Sequence, residues 1–119
     1  MELVQQVMAN LEVDEGKAEK GVGAILTAFR MSADKDTFER IKQAVPAAER
    51  YMGRALMSGA RTGEISVMVG PAGLMAALAA AGWQKDDVPR LGRIVIEYLR
   101  PTVGNAPIEQ FLEKAPALK

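Results

Sequence analysis

Cysteine and histidine are both absent from this sequence of 119 residues. Without cysteine there is no disulfide framework, no thiolate nucleophile and no zinc–thiolate site, and the cellular compartment cannot be read from disulfides. Without histidine the chain lacks the commonest general base and the commonest metal ligand. These absences exclude Ser-His-Asp and Cys-His triads and most transition-metal centres. We therefore expect a protein that is not an enzyme, with no catalytic residue, no cofactor and no metal.

An excess of charge of either sign is also lacking, because 15 basic side chains balance 15 acidic ones. A net basic field supplies most of the non-specific affinity of proteins for DNA, so we expect no nucleic-acid partner. The first six residues, MELVQQ, have neither the basic region nor the long apolar region of a secretory signal. This start predicts a cytoplasmic protein.

One stretch without charged side chains, residues 65–84, has the length of a membrane span. Gly70, Pro71 and Gly73 interrupt its middle, and its second part is mainly alanine. We therefore expect no transmembrane segment but a buried helix that begins near Pro71 and ends at Gly82. Residues 65–69 before it include the β-branched Ile65, Val67 and Val69 and are consistent with a strand, a helix or a loop.

Apolar residues at helical spacing predict a compact all-α bundle of five to seven helices in a single domain, residues 1–119. The first helix covers about residues 2–12, and Asp14 is a plausible N-cap for the second, whose apolar stripe runs to Phe29. In that second helix, Lys17, Glu19 and Lys20 are expected on the solvent side.

The remaining helices follow from caps and prolines. Asp36 with Glu39 resembles a capping box at the start of a third helix. Pro46 either ends this helix or is the first residue of a fourth one, which is expected over about residues 46–57. Asp86 or Asp87 begins a long apolar helix that Pro101 and Gly104 end. A final short helix contains Ile108 and Phe111.

Two related half-repeats are indicated by a shift of seventy positions, over residues 3–46 and 73–116. At this shift Val4 meets Leu74, Phe29 meets Leu99 and Ile41 meets Phe111, so apolar positions coincide. Self-similarity of this kind indicates a fold made of repeated units. Residues 47–72 have no counterpart and form a central insertion.

Three groups of residues invite a functional interpretation but favour a structural one. Gly16, Gly21 and Gly23 lack the Lys-Ser/Thr of a phosphate loop, so we expect them to allow close helix packing. The acidic groups Asp34, Asp36 and Glu39, and Asp14 with Glu15, lack the spacing of a calcium loop. They are expected to cap helices and to interact with helix dipoles. Arg90, Arg93 and Arg100 are expected on a solvated face, with Glu97 pairing with Arg93.

The central insertion is the least ordinary part of the chain, because long connections are often functional. Methionine side chains adapt to binding surfaces, although they also fill core gaps. The candidate interaction surface consists of Tyr51, Met52, Leu56, Met57, Ile65, Val67 and Met68.

A family pattern is carried by residues 11–26, LEVDEGKAEKGVGAIL, and by residues 38–46, FERIKQAVP. Residues 82–88 and 94–99 extend it into the second half. This pattern resembles the VcgC/VcgE-type family of small uncharacterised bacterial proteins. The resemblance implies an all-helical fold with no established activity and supplies no catalytic residues. Members of that family often carry an export signal, which the start of this sequence does not show.

The biochemical function stays unknown from sequence alone. We expect a non-enzymatic helical scaffold or protein-interaction module whose partner is another protein or a second copy of the chain. The alternative is a carrier that holds an apolar small molecule or lipid between the two helical halves.

Overall fold

The computed structural model describes residues 2–58, 78–79, 82–84 and 86–114. Six helices have described bounds, and no strand occurs within these residues, which confirms the all-α prediction. The helices are α1 (Leu3–Leu11), α2 (Glu15–Ser32), α3 (Lys35–Ala44), α4 (Ala48–Ser58), α5 (Val88–Val103) and α6 (Asn105–Lys114). Residues 78 and 79 are also helical.

Helices α2 and α5 occupy the centre of the bundle. α2 packs most extensively on α4, while α1 contacts both α2 and α5. α3 packs mainly on α5, and α6 contacts α5 as well. The rings of Phe29 on α2 and Phe111 on α6 stack with centroids 3.7 Å apart. Besides Phe29, the largest fully buried side chains include Leu3, Ile25, Leu26, Ile41, Leu78, Leu91, Leu99 and Ile108.

Carboxylates cap the N-termini of α2 and α3. Asp14 Oδ1 accepts a hydrogen bond of 2.7 Å from the backbone N–H of Lys17, which confirms the predicted cap of α2. For α3 the predicted cap was wrong, because Asp34 rather than Asp36 is the N-cap and accepts from the N–H of Thr37 at 2.7 Å. Asp34 has the extended backbone that a cap requires, whereas Asp36 already lies in the first helical turn.

The contact between α2 and α4 depends on a missing side chain. A Cβ atom at Gly23 would clash with the backbone carbonyl of Tyr51 and lie 2.9 Å from the amide nitrogen of Met52. At Gly21 a Cβ would lie 2.6 Å from Nε1 of Trp83. The packing role is thus confirmed at these two glycines. At Gly16 the nearest atom is an Asp14 oxygen at 3.6 Å, an ordinary distance, so packing does not require glycine there.

Glu19 departs from the solvent-facing position expected for it, because only 3% of its surface is exposed. It precedes Gly23 by four residues, so the two share the face of α2 that packs on α4. The helical period alone does not show that this face is covered.

Two glycines with positive φ end helices. Gly82 has φ +94°, and the N–H groups of Gly82 and Trp83 donate to the carbonyls of Ala79 and Leu78, which is a Schellman motif. Gly104, with φ +95°, ends α5. Pro101 does not end that helix as predicted, since it lies inside the last turn, where its ring forfeits only one backbone donor.

Much of the predicted central insertion lies outside the described residues. Its first part forms α4, and residues 65–69 and the start of the helix predicted from Pro71 are not among the residues described. In the part that is described, no helix is both long enough and apolar enough to cross a membrane.

Candidate functional site

The seven residues of the expected interaction surface fall into three groups. Tyr51 and Met52 lie in the core, where 6% and 8% of their surface is exposed. Leu56 and Met57 belong to α4, but their side chains are outside the described set. Ile65, Val67 and Met68 lie outside the described residues altogether. Tyr51 lines a hollow on the described part of the molecule.

That hollow, which we term the Tyr51–Tyr98 recess, has a volume of about 150 Å³. Three separate parts of the chain form it: the start of α1, the turn from α3 to α4, and α5. Its lining is mainly apolar and consists of Glu2, Leu3, Ala44, Val45, Pro46, Ala47, Tyr51 and Tyr98.

The turn from α3 to α4 forms one wall of the recess. α3 ends where Val45 leaves the helical conformation, with φ −127° and ψ 86°. Pro46 has no N–H to continue the helix, and the N–H of Ala48 instead donates to the carbonyl of Val45 at 2.9 Å. The next helix therefore starts after only three residues and brings Tyr51 beside the end of α3.

Among the described residues that line the recess, Glu2 is the single charged one, and it is exposed. It is the N-cap of α1, but its carboxylate makes no capping hydrogen bond, unlike those of Asp14 and Asp34. The guanidinium of Arg50 lies 5.3 Å from the ring centroid of Tyr51. Glu97, next to Tyr98 in sequence, has a partner in Arg100, 3.9 Å away.

A larger surface hollow, of about 410 Å³, lies along α3 and is lined by side chains of both charges. Among them, Lys42 Nζ lies 3.1 Å from Glu39 and 3.4 Å from Glu49, so it links α3 to α4. Hydrogen bonds to Glu39 and then to Glu49 raise the pKa of Lys42 above its ordinary value. Lys42, Glu39 and Glu49 are therefore already paired with one another.

A third hollow, of about 230 Å³, lies between the start of α3 and the start of α6. Asp34 and Thr37 contribute its polar side, and Ala106, Pro107 and Phe111 its apolar side. The N–H of Thr37 and then its side chain donate to the Asp34 carboxylate, and these hydrogen bonds lower the pKa of Asp34. This carboxylate thus serves α3 as its cap.

Neither the acidic residues nor the arginines form a chemical centre in the described part of the chain. No group of three or more metal-type ligands occurs among the described residues. Arg90 and Arg93 are exposed. Glu97 pairs with Arg100 rather than with Arg93, which corrects the expected pair, and Arg100 also reaches Glu109 on α6 at 3.8 Å.

Trp83 is a structural residue whose role sequence reasoning did not identify. Its indole Nε1 donates to the carbonyl of Lys17 at 3.1 Å, and the Lys17 ammonium lies 5.0 Å from the ring. Gly21 leaves room for the indole. Glu2, Leu3 and Tyr98 were likewise missed as recess residues, because nothing in their spacing shows that they meet.

The comparisons with known proteins place the chain in a family. The profile of a family described as "protein of unknown function VcgC/VcgE" matches residues 1–112. No curated protein and no solved structure matches the chain significantly. The matched region includes the described part of the recess and all but the end of α6, and the chain belongs to the VcgC/VcgE family of proteins of unknown function.

Proposed function

We propose that this chain is a non-enzymatic helical interaction module that binds a protein partner at the Tyr51–Tyr98 recess. The observation that carries the proposal is the composition of the recess, a concave and mainly apolar lining that includes two tyrosines. Tyrosine is enriched at protein interfaces, because its ring adds apolar contact area and its hydroxyl stays able to hydrogen-bond. A sequence without histidine or cysteine supports a role in binding rather than in catalysis.

Site-specific photo-crosslinking in cells tests the proposal. A photoreactive residue at Ala47 lines the recess, and the same residue at Ala106, in the hollow between α3 and α6, is the matched control. We expect an adduct from position 47 that position 106 does not form. The adduct is then identified by mass spectrometry, and its affinity for the purified chain is measured with and without Tyr98→Ser.

The two results that matter are the pattern of adducts and the effect of Tyr98→Ser. An adduct of twice the chain mass identifies a second copy as the partner, which sedimentation over a dilution series must confirm. The proposal fails if positions 47 and 106 give the same adducts. It also fails if Tyr98→Ser, with its helical circular dichroism unchanged, binds the partner as well as the wild type does.

The second candidate function is a carrier of an apolar small molecule, for which the apolar lining of the recess is the supporting observation. Its volume of about 150 Å³ suits a small molecule rather than a lipid chain. The stacked rings of Phe29 and Phe111 already occupy the contact between α2 and α6, so the recess is the place proposed for the ligand. Native mass spectrometry of the protein from its source cell tests this candidate, since a carrier must retain a co-purifying ligand.

We also propose that the fold contains two related half-repeats, residues 3–46 and 73–116. In its favour, α3 and α6 begin and end seventy positions apart, and so do the positive-φ residues Glu12 and Gly82. The starts of α2 and α5 do not keep this register. Comparison of the two halves across many family members tests the proposal, which fails if the similarity at this shift does not exceed that at other shifts.

A further inference from the structure

We infer that the group received by the Tyr51–Tyr98 recess is a lysine side chain of the protein partner. The inference rests on the proposed function, because it assumes that the recess is the partner site. It adds the chemistry of the occupant: an apolar stem that enters the hollow and an ammonium that meets Glu2 at its edge.

The lining divides into an apolar part and a polar part. Leu3, Val45 and Ala47 offer only apolar side chains, whereas Tyr51 and Tyr98 combine a ring with a hydroxyl. Glu2 adds the one charge found among the described residues of the lining. A lysine matches this division, because its methylene stem packs on apolar surface while its charged end stays in water.

The Glu2 carboxylate has no competing partner among the residues that the structure describes. It makes no hydrogen bond to the first turn of α1, and no ion pair joins it to any residue of the described part of the chain. The guanidinium of Arg50, next to Tyr51 in sequence, lies 5.3 Å from the ring centroid of Tyr51. Glu49, which follows the α3–α4 turn, is already paired with Lys42.

A cationic occupant fits this environment better than an anionic or neutral one. An anionic group would be repelled by Glu2, and a neutral apolar group would cover that carboxylate without giving it a partner. Tyrosine rings also attract cations. The flexible four-carbon stem of lysine, which ends in a compact ammonium, fits a mainly apolar hollow of about 150 Å³ with a carboxylate at its edge.

The experiment uses n-butylammonium as a probe for the end of a lysine side chain, with n-butanol as its neutral analogue. Both are titrated into the isotopically labelled full chain while backbone amide shifts are followed by NMR. We expect saturable shifts at Leu3, Ala44, Ala47 and Tyr98, with a dissociation constant for butylammonium on the order of 10 mM. Butanol should bind about two- to fivefold more weakly, as an exposed ion pair allows.

Two matched variants separate the recess from general ionic effects. Glu2→Gln should reduce butylammonium binding to the level of butanol, whereas Glu12→Gln, an exposed carboxylate at the other end of α1, should leave it unchanged. Neither change removes a capping or buried contact in α1, so both variants should fold.

The inference is overturned if butylammonium gives no saturable shift at the recess. Equal binding of butylammonium and butanol, or equal effects of the two variants, also overturns it. These failures differ from failure of the proposed function, because a partner crosslinked at Ala47 and lost with Tyr98→Ser would still establish the recess as an interface. In that event the occupant is a side chain without a cationic end.

Discussion

Gly23→Ala tests the close approach between α2 and α4. The added methyl group would meet backbone atoms of α4, the carbonyl of Tyr51 and the amide nitrogen of Met52 at 2.9 Å. Backbone atoms of a helix cannot rotate away as a side chain can, so α2 and α4 must separate by about 1 Å or more. Overpacking of this kind costs about 1–3 kcal/mol, against a gain in helix propensity of about 0.5–1 kcal/mol for alanine.

We therefore expect Gly23→Ala to lower the free energy of unfolding by about 2 kcal/mol, because separation also weakens the packing of Tyr51 and Met52. Urea titration followed by far-ultraviolet circular dichroism and by the fluorescence of Trp83 measures the change. Gly53→Ala on α4 is the matched control, since a Cβ there meets no atom within 4 Å.

The control variant should change the free energy of unfolding in the opposite direction. Gly53→Ala should raise the free energy of unfolding by about 0.5–1 kcal/mol through helix propensity alone. If Gly23→Ala is neutral or stabilising while Gly53→Ala behaves as expected, the close α2–α4 contact is not present in solution, and the reasoning is refuted.

Three further changes test other contacts. Phe111→Ala should lower the free energy of unfolding by about 3–5 kcal/mol, because it removes a buried ring stacked on Phe29; a loss below about 1 kcal/mol in urea titration would contradict this. Gly21→Ala should displace the Trp83 indole from the carbonyl of Lys17, so that its fluorescence emission shifts to longer wavelength; unchanged emission would show that the indole is accommodated. Asp34→Ala should lower the urea midpoint at pH 7. The folded-state pKa of Asp34 is lowered, so its carboxylate stabilises the fold above the unfolded pKa of about 3.9 and loses this effect as the pH falls through the folded value. The difference in urea midpoint between variant and wild type should therefore shrink in acid. A difference that grew in acid would contradict the argument.

The positions of most helices could be predicted because a packed helix needs an apolar stripe, and that stripe is visible in sequence. The stripe ending at Phe29 and the cap at Asp14 are local signals, and the structure confirms both. Local rules failed where two similar residues competed, as Asp34 and Asp36 do. They also failed at Pro101, where a helix tolerates the loss of one donor near its end.

Apart from Tyr51, the residues of the candidate site could not be predicted, because they share no local signal. Glu2, Val45 and Tyr98 come from three distant parts of the chain, and their meeting depends on how α1, α3 and α5 pack. Tyr51 and Met52 were expected in an interaction surface because the sequence does not show that α2 packs over α4. Glu19 was misplaced for the same reason, since a charged side chain on a covered face has the same local pattern as one on an open face.

The hydrogen bond between Trp83 and Lys17 has a consequence for the kinetics of folding. Its two residues are 66 positions apart, so it forms only when a long loop has closed, and loop closure costs conformational entropy that local helix formation does not. Circular dichroism records the helices, whereas the single tryptophan records this closure. The indole is therefore a built-in probe of the moment at which the two halves of the chain come together.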